Sequence, residues 1–342
     1  MDGSLEFPVA TPPAPGETVE IAPGIHWLRM RLPFALNHIN LWLLEDGPGW
    51  TIVDCGYALD ETREAWERIF ADRLGGRPVR RIIVTHFHPD HMGLGYWLAE
   101  RWRAPLWTTE KEYLHARMMS QDVGEASAQA RRDFAKAAGL DDESSNIFGE
   151  RQGNYRRGCP AVVPSYRRIS DGTVIEIGGR EWRVVIGEGH APEHACLLCA
   201  EAGVLIAGDQ ILPRISPNIS VQTYEPEGDP LARYLASLKK LRQVLPPEIL
   251  VLPSHNLPFY GAHERIDELA AHHAARCDDV IAACARPSSA ADLLPVLFRR
   301  QLDRHQMGFA LGEALAHLHY LRGLGTLTRH AGSDGVNRFQ AA

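Results

Sequence analysis

His86, His88, Asp90 and His91 put four metal-binding side chains within six residues, in the run Thr85-His86-Phe87-His88-Pro89-Asp90-His91. Imidazole nitrogens mixed with a carboxylate suit zinc or a similar first-row dication, whereas magnesium asks mostly for oxygen. Alternate spacing lets His86 and His88 converge on one ion, while Asp90 and His91 point elsewhere, so the spacing suggests two metals. The preceding segment, Val79 to Thr85, is apolar and β-branched. It reads as a buried strand that delivers His86 into the loop beyond its C-terminal end.

The pattern His86-x-His88-x-Asp90-His91 resembles the signature of the metallo-β-lactamase-fold hydrolases. Further along, Gly189-His190-Ala191-Pro192-Glu193-His194 is similar to that family's next histidine motif, Ala207-Gly208-Asp209 to its bridging aspartate, and Pro253-Ser254-His255-Asn256 to its last histidine. Upstream, Thr51-Ile52-Val53-Asp54-Cys55-Gly56 matches its strand-ending aspartate, and the resemblance spans roughly residues 18 to 260. It implies an α+β chain folded as a four-layer αββα sandwich. It also implies that His86, His88 and His190 hold a first metal, Asp90, His91 and His255 a second, and that Asp209 bridges the two. A hydroxide between the ions would then be the nucleophile, with Asp90 and Asp209 catalytic through the ions that they hold. Zinc is the default, and manganese or iron fits the same ligands. Asp54 is read as an outer partner that fixes a ligand histidine or the loop backbone, and His194 as structural rather than ligating. Tyr224, in the loop after Asp209, resembles a tyrosine that acts as an oxyanion donor in some lactonases.

The remaining elements must position these residues. Strands are expected at 25–31, 38–44 and 50–53, then a helix at 59–74 that ends at Gly75-Gly76. After a helix at 93–102 and a short strand at 104–107, residues from about 109 to 158 read as a helical insertion with Asp141 to Ser145 as a loop inside it. Strands resume at 173–177, 181–186, 194–200 and 204–207. Leu231, Leu235, Leu238 and Leu241 mark a helix with one buried face, and 249–252 is the last strand of the domain. From Ala262 the pattern is helical, with a capping box at Ser289 and Asp292 and a small β wing at 323–329, which resembles the winged-helix-like C-terminal domain of some relatives. The expected organisation is thus a flexible lead-in at 1–17, a hydrolase domain at 18–261 and a helical C-terminal domain at 262–342.

The chain has 342 residues, 45% of them hydrophobic and 23% charged, enough for a sizeable core. No segment reads as a signal peptide or a membrane span, so the cytoplasm is the expected compartment and no membrane partner is expected. Six scattered cysteines make no disulfide framework, and Cys196-Leu-Leu-Cys199 sits in an apolar strand, where core packing is the expected role. The net charge of -7 gives no pull toward nucleic acid, and residues 262–342 carry nine Arg against nine Asp plus Glu. That segment is expected to pack on the first domain or to form a homodimer. Tyr155-Arg156-Arg157 and Tyr166-Arg167-Arg168 read first as a solvated basic patch and second as a seat for an anionic tail. The partner is expected to be a small ester, thioester or lactone, with phosphodiesters and β-lactams as alternatives and ligand binding without turnover as the non-enzymatic reading.

Overall fold

The computed structural model describes residues 5–150, 154–299 and 301–342; residues 1–4 of the expected lead-in and 151–153 of the expected insertion lie outside the described residues. Strands β1 (Val19–Ala22), β2 (Ile25–Arg31), β3 (His38–Asp46) and β4 (Gly49–Val53) form the antiparallel meander. Helix α1 (Asp60–Asp72) crosses to β5 (Val79–Ile83), parallel to β4, and α2 (Pro89–Met92) and α3 (Gly95–Trp102) lead to β6 (Leu106–Thr108), parallel to β5. The insertion consists of α4 (Glu110–Gln121), α5 (Glu125–Ala137), α6 (Asp142–Gly149) and α7 (Asn154–Gly158), after which β7 (Arg167–Arg168) completes a seven-stranded sheet. A second, five-stranded sheet contains β8 (Val174–Ile177), β9 (Arg180–Gly187), β10 (His194–Cys199), β11 (Val204–Gly208) and, after α8 (Pro230–Val244), β12 (Leu250–Pro253). Helices α9 (Ala262–Ala283), α10 (Ala290–Leu297) and α11 (Arg304–Gly323) and the hairpin of β13 (Leu327–Ala331) and β14 (Asn337–Ala341) follow.

Both sheets are apolar on both faces, because side chains alternate along a strand and every face is covered. In β3, Trp42 and Leu44 face the second sheet, while Ile39, Leu41 and Leu43 face helices α1 and α3. In β11, Val204 and Ile206 face the first sheet, and Leu205 and Ala207 face α8 and the C-terminal helices. The result is the expected helix, sheet, sheet, helix sandwich. The same alternation separates Cys196 from Cys199 onto opposite faces, both buried as free thiols in the core, as expected.

Several boundaries differ from the sequence expectation. The expected loop at 141–145 is helical from Asp142: the Asp141 carboxylate accepts from Ser144 N at 2.7 Å and caps α6, since a short polar side chain satisfies a free amide at a helix start. The hairpin lies at 327–341 rather than 323–329, because α11 continues to Gly323 and its carbonyls at Tyr320 and Arg322 accept from Leu324 and Gly325. The described part of the lead-in is packed rather than loose: Glu6 pairs with Tyr260 as a β-bridge, and the rings of Phe7 and Phe259 are 6.4 Å apart. The capping box at Ser289 and Asp292 is formed as expected.

The C-terminal segment docks on the two-sheet domain. Ile266, Leu269, Leu311, Leu315, Leu318 and Phe339 share one continuous core with Leu205, Tyr234, Leu238 and Leu241. Removing everything from Ala262 onward would uncover the apolar face of α8. The truncated chain is expected to aggregate or to change its elution in size-exclusion chromatography. A truncation that elutes as a compact monomer with the melting temperature of the intact chain would contradict this dependence.

Candidate metal centre

The sites expected from the sequence lie where strands β4, β5, β11 and β12 end at the same edge of the sandwich. Asp54 follows β4, His86 to His91 follow β5, Asp209 follows β11 and His255 follows β12, while His190 lies in the turn between β9 and β10. The two sheets are tied together at that edge, since Ala195 N donates to Thr85 O at 2.8 Å and Asn40 N to Ser254 O at 2.7 Å. Asp90 and His91 do not lie in an open loop. They belong to α2, which Pro89 opens, and one helical turn aims both side chains at the same space.

All seven expected ligands come together, in two groups. His86 Nε2 lies 2.9 Å from His88 Nδ1 and 3.3 Å from His190 Nε2, and His190 Nε2 lies 3.4 Å from Asp209 Oδ2. His91 Nε2 and His255 Nε2 lie 3.7 and 3.6 Å from Asp90 Oδ2 and 3.6 and 3.4 Å from the other oxygen of Asp209, Oδ1. A tetrahedral ion with ligands at about 2.0–2.1 Å sets neighbouring donors a little over 3 Å apart, which is the scale of these separations. Within each group the donor atoms all lie within 4.8 Å of one another. Among the described residues His91 Nε2 and Asp209 Oδ1 are buried without a hydrogen-bond partner. A cation there would satisfy both, so the donor set fits divalent metal ions.

The partners behind the ligands fix the tautomers. His190 Nδ1 donates to Asn218 O at 2.9 Å and His255 Nδ1 to His38 O at 2.8 Å; a carbonyl can only accept, so Nε2 is left with its lone pair toward the site. His91 Nδ1 donates to Asp54 Oδ2 at 2.8 Å, and the same carboxylate accepts from Thr85 N and Thr85 Oγ1. Asp54 is fully buried with a left-handed backbone (φ 64), so it acts as the outer partner expected of it. His194 does not reach the metal side: its Nε2 accepts from Asp209 N at 3.0 Å. That approach requires Gly208, because a Cβ there would stand 2.4 Å from His194 Nε2.

Charge differs between the two groups. Burial, then the neighbouring imidazoles, holds His86 and His88 well below the ordinary histidine range, and burial brings His194 to about 3. Burial also acts downward on His91 and His255, but Asp54, Asp90 and Asp209 outweigh it for the first, and Asp209 and Asp90 for the second, and both are raised. Burial works upward on Asp209, yet His255 and His91 hold its carboxyl well below the usual range. One half therefore presents neutral ring nitrogens and the other a surplus of negative charge, both of which a dication would accept.

One contributor was not legible in the sequence. Glu112, in the first turn of α4, is fully buried, and its two carboxylate oxygens accept from Phe87 N at 2.8 Å and Glu193 N at 2.6 Å. Phe87 lies between two ligand histidines and Glu193 between His190 and His194, so this one side chain staples two ligand loops together. Burial pushes its carboxyl up to about 7 even though those two amides act downward. Glu193 returns the contact, its Oε2 accepting from Lys111 N at the start of α4 and its carbonyl from Thr109 Oγ1. An acid in a first helical turn reads only as complementing the helix dipole, and nothing in its neighbours distinguishes Glu112.

The two Tyr-Arg-Arg triplets do not meet in one anion seat. Tyr155 is buried and donates its hydroxyl to Phe87 O at 2.6 Å, and Tyr166 stacks on Tyr113 with ring centroids 4.1 Å apart. Arg168 pairs with Glu110 at 2.9 Å, Arg167 lies over the Trp107 ring at 5.7 Å, and Arg156 and Arg157 are exposed. Tyr224 packs edge-on against His115, with centroids 5.3 Å apart, and His115 in turn lies 5.6 Å from the Phe87 ring.

The profile of the metallo-beta-lactamase superfamily matches residues 36–255, and that of a metallo-beta-lactamase-like C-terminal domain matches residues 277–342. The chain is similar to a beta-lactamase domain protein of known structure from Burkholderia ambifaria, at 49% identity and a TM-score of 0.92, covering 99% of this chain and 98% of that one. It is 23% identical to a probable metallo-hydrolase of Bacillus subtilis, over 89% of this chain and 93% of the relative. It is 27% identical to the acyl-coenzyme A thioesterase MBLAC2 of Gallus gallus, over 78% of this chain and 90% of the relative.

Substituting Glu112→Ala would leave two buried amides unpaired, at about 1–3 kcal/mol each, and would free the ligand loops from one another. The variant is expected to melt earlier and to bind metal about 10–100-fold more weakly, the range for loss of an outer partner of a metal site. Calorimetry and competition with a chelator measure the two effects. Unchanged metal affinity would reduce Glu112 to a packing role.

Proposed function

This chain belongs to the metallo-beta-lactamase superfamily and is a metal-dependent hydrolase, and from that premise we propose that it cleaves a small ester, thioester or lactone with two divalent ions bound, zinc by default. His86, His88 and His190 with one oxygen of Asp209 would hold the first ion, and Asp90, His91 and His255 with the other oxygen the second. The observation that carries the two-ion reading is that split: each oxygen of a single buried carboxylate faces its own set of ligands. Ions held there supply a lowered pKa for water and polarisation of the substrate oxygen. The protein's own part is to turn the Nε2 atoms of His91, His190 and His255 toward the site, through Asp54, Asn218 O and His38 O, and to exclude bulk water by burial. Tyr224 is assigned the donor role toward the substrate oxygen.

Three observations favour an acyl substrate over a nucleic acid. A cleft beside Phe87 is walled by Met119, Phe134, Phe148, Tyr155 and Tyr224, which suits an apolar group. In the C-terminal segment Arg265, Arg276, Arg322, Arg329 and Arg338 are each paired with an acid, which lowers the charge that those five offer to phosphates. The resemblance to a relative named as an acyl-coenzyme A thioesterase points the same way. Among the described residues no helix is long and apolar enough to cross a membrane.

Elemental analysis of protein purified without chelator is expected to give close to two first-row ions per chain, and Asp209→Ala to bind less metal and lose most turnover while remaining folded. A value near zero that does not rise on adding metal, or full activity in the variant, would overturn the assignment. On a panel of ester, thioester, lactone, β-lactam and phosphodiester substrates, turnover is expected on short acyl thioesters or esters. Turnover confined to phosphodiesters would replace this reading with the phosphodiesterase one.

A further inference from the structure

The cleft beside the metal loops contains one charged side chain with unused hydrogen-bonding capacity. It is a cavity of about 170 Å³ between the helical insertion, the loop at 220–224 and the start of α11. Apart from Arg131 and Asp122, its lining is apolar, aromatic or neutral. Arg131 is only 8% exposed. One of its terminal nitrogens, Nη2, donates to Asp122 Oδ2, while the other, Nη1, is buried with no partner among the described residues. Leaving a guanidinium N–H unsatisfied inside a protein is costly, and such groups are commonly completed by a ligand or an ordered water.

The pair with Asp122 decides what kind of ligand group fits. Asp122 already balances the charge of Arg131, so what is missing is an acceptor and not a negative charge. A carboxylate or phosphate would bring a net negative charge into an apolar site, whereas a ketone, hydroxyl or amide oxygen satisfies Nη1 at no such cost. Two residues of the cleft wall are also tied to the loop that carries His86 and His88. Tyr155, on its wall, donates to the carbonyl of Phe87 between His86 and His88, and Tyr224, also on its wall, packs on His115 next to the Phe87 ring.

We propose that this cleft receives the acyl side of the substrate and that Arg131 selects chains carrying a neutral oxygen acceptor away from the scissile carbonyl. This rests on the reading of the protein as an acyl hydrolase. The preferred substrates are then oxo-, hydroxy- or amide-bearing acyl esters or thioesters, and a plain alkyl chain of equal length leaves Nη1 unpaired.

The test uses the full-length, metal-loaded protein and two N-acetylcysteamine thioesters, hexanoyl and 5-oxohexanoyl. The wild type is expected to favour the oxo chain in kcat/KM by about tenfold or more, since a site with a buried donor rejects the analogue that lacks the acceptor. Arg131→Met should bring the ratio of the two kcat/KM values to about one, and Arg131→Lys should restore part of the preference. If Asp122 left unpaired unfolds Arg131→Met, the double variant Arg131→Met with Asp122→Asn removes that charge and carries the same expectation. Equal kcat/KM for the two thioesters in the wild type, or a preference that survives loss of the guanidinium, overturns the inference. If neither thioester is hydrolysed, thioester turnover fails on its own, and the substrate panel decides the acyl-hydrolase reading. Ligand-observed NMR titration with hexanamide and 5-oxohexanamide then decides the cleft. An oxo preference lost in Arg131→Met sustains it as a binding site for neutral acceptors, and equal or absent binding of both amides overturns it.

Discussion

Asp209 offers one oxygen to each of two histidine groups from a buried position, and much of the surrounding structure serves to hold that carboxylate where it is. Its backbone amide is held by His194, which can approach only because position 208 has no Cβ. Its two oxygens stand at the seam where both sheets end, so a shift of one sheet against the other would move one ligand group away from it. The backbone bonds across that seam, from Ala195 to Thr85 and from Asn40 to Ser254, therefore belong to the site as much as to the fold. Interiors packed at crystal density transmit such shifts instead of absorbing them.

The insertion and the C-terminal segment are attached to the same centre by specific bonds. Through Glu112 and Thr109, α4 holds the loops that carry His86, His88 and His190. From the other side, Asn218, whose carbonyl orients His190, donates its side-chain amide to Phe309 O and Glu313 Oε2 of α11, and Val221 N donates to Gly312 O. The helical additions are thus neither detachable nor merely lining the entrance. Each reaches a ligand loop in one or two hydrogen bonds, and between them they enclose the cleft that contains Arg131.

The site is asymmetric in charge for a reason that its sequence order does not reveal. His86 and His88 are surrounded by other imidazoles, so burial and like-charge neighbours keep them neutral, while Asp90, Asp209 and the outer Asp54 converge on His91 and His255. A buried cluster with that much negative charge favours a cation at its centre. The three carbonyl or carboxylate partners behind the histidines ensure that the ring nitrogens facing the centre are free to bind it.

The histidines and aspartates that the fold brings together were legible in the sequence because metal chemistry restricts such groups to a few residue types, four of which stand within six residues at a strand end, and because the other three stand in motifs that resemble a known family's. The strands and an amphipathic helix such as α8 were legible from apolar alternation and helical spacing, while their arrangement as a four-layer sandwich followed from the family resemblance. The burial of Cys196 and Cys199 and the capping box at Ser289 followed from local pattern alone. What the tertiary structure decided depends on residues far apart in the chain. Glu112 meets Phe87 and Glu193 across 25 and 81 positions, and Asn218 meets Glu313 across 95. Neither pairing leaves a mark on its own neighbourhood. The start of α6 and the hairpin lie away from their expected places because a cap or a helix end is set by which backbone groups lack partners, and composition reports that only loosely. The free nitrogen of Arg131 is the furthest case: an arginine in a polar, alanine-rich helix reads as solvated, and only the packing of three separate segments around it buries one donor and leaves it without an acceptor.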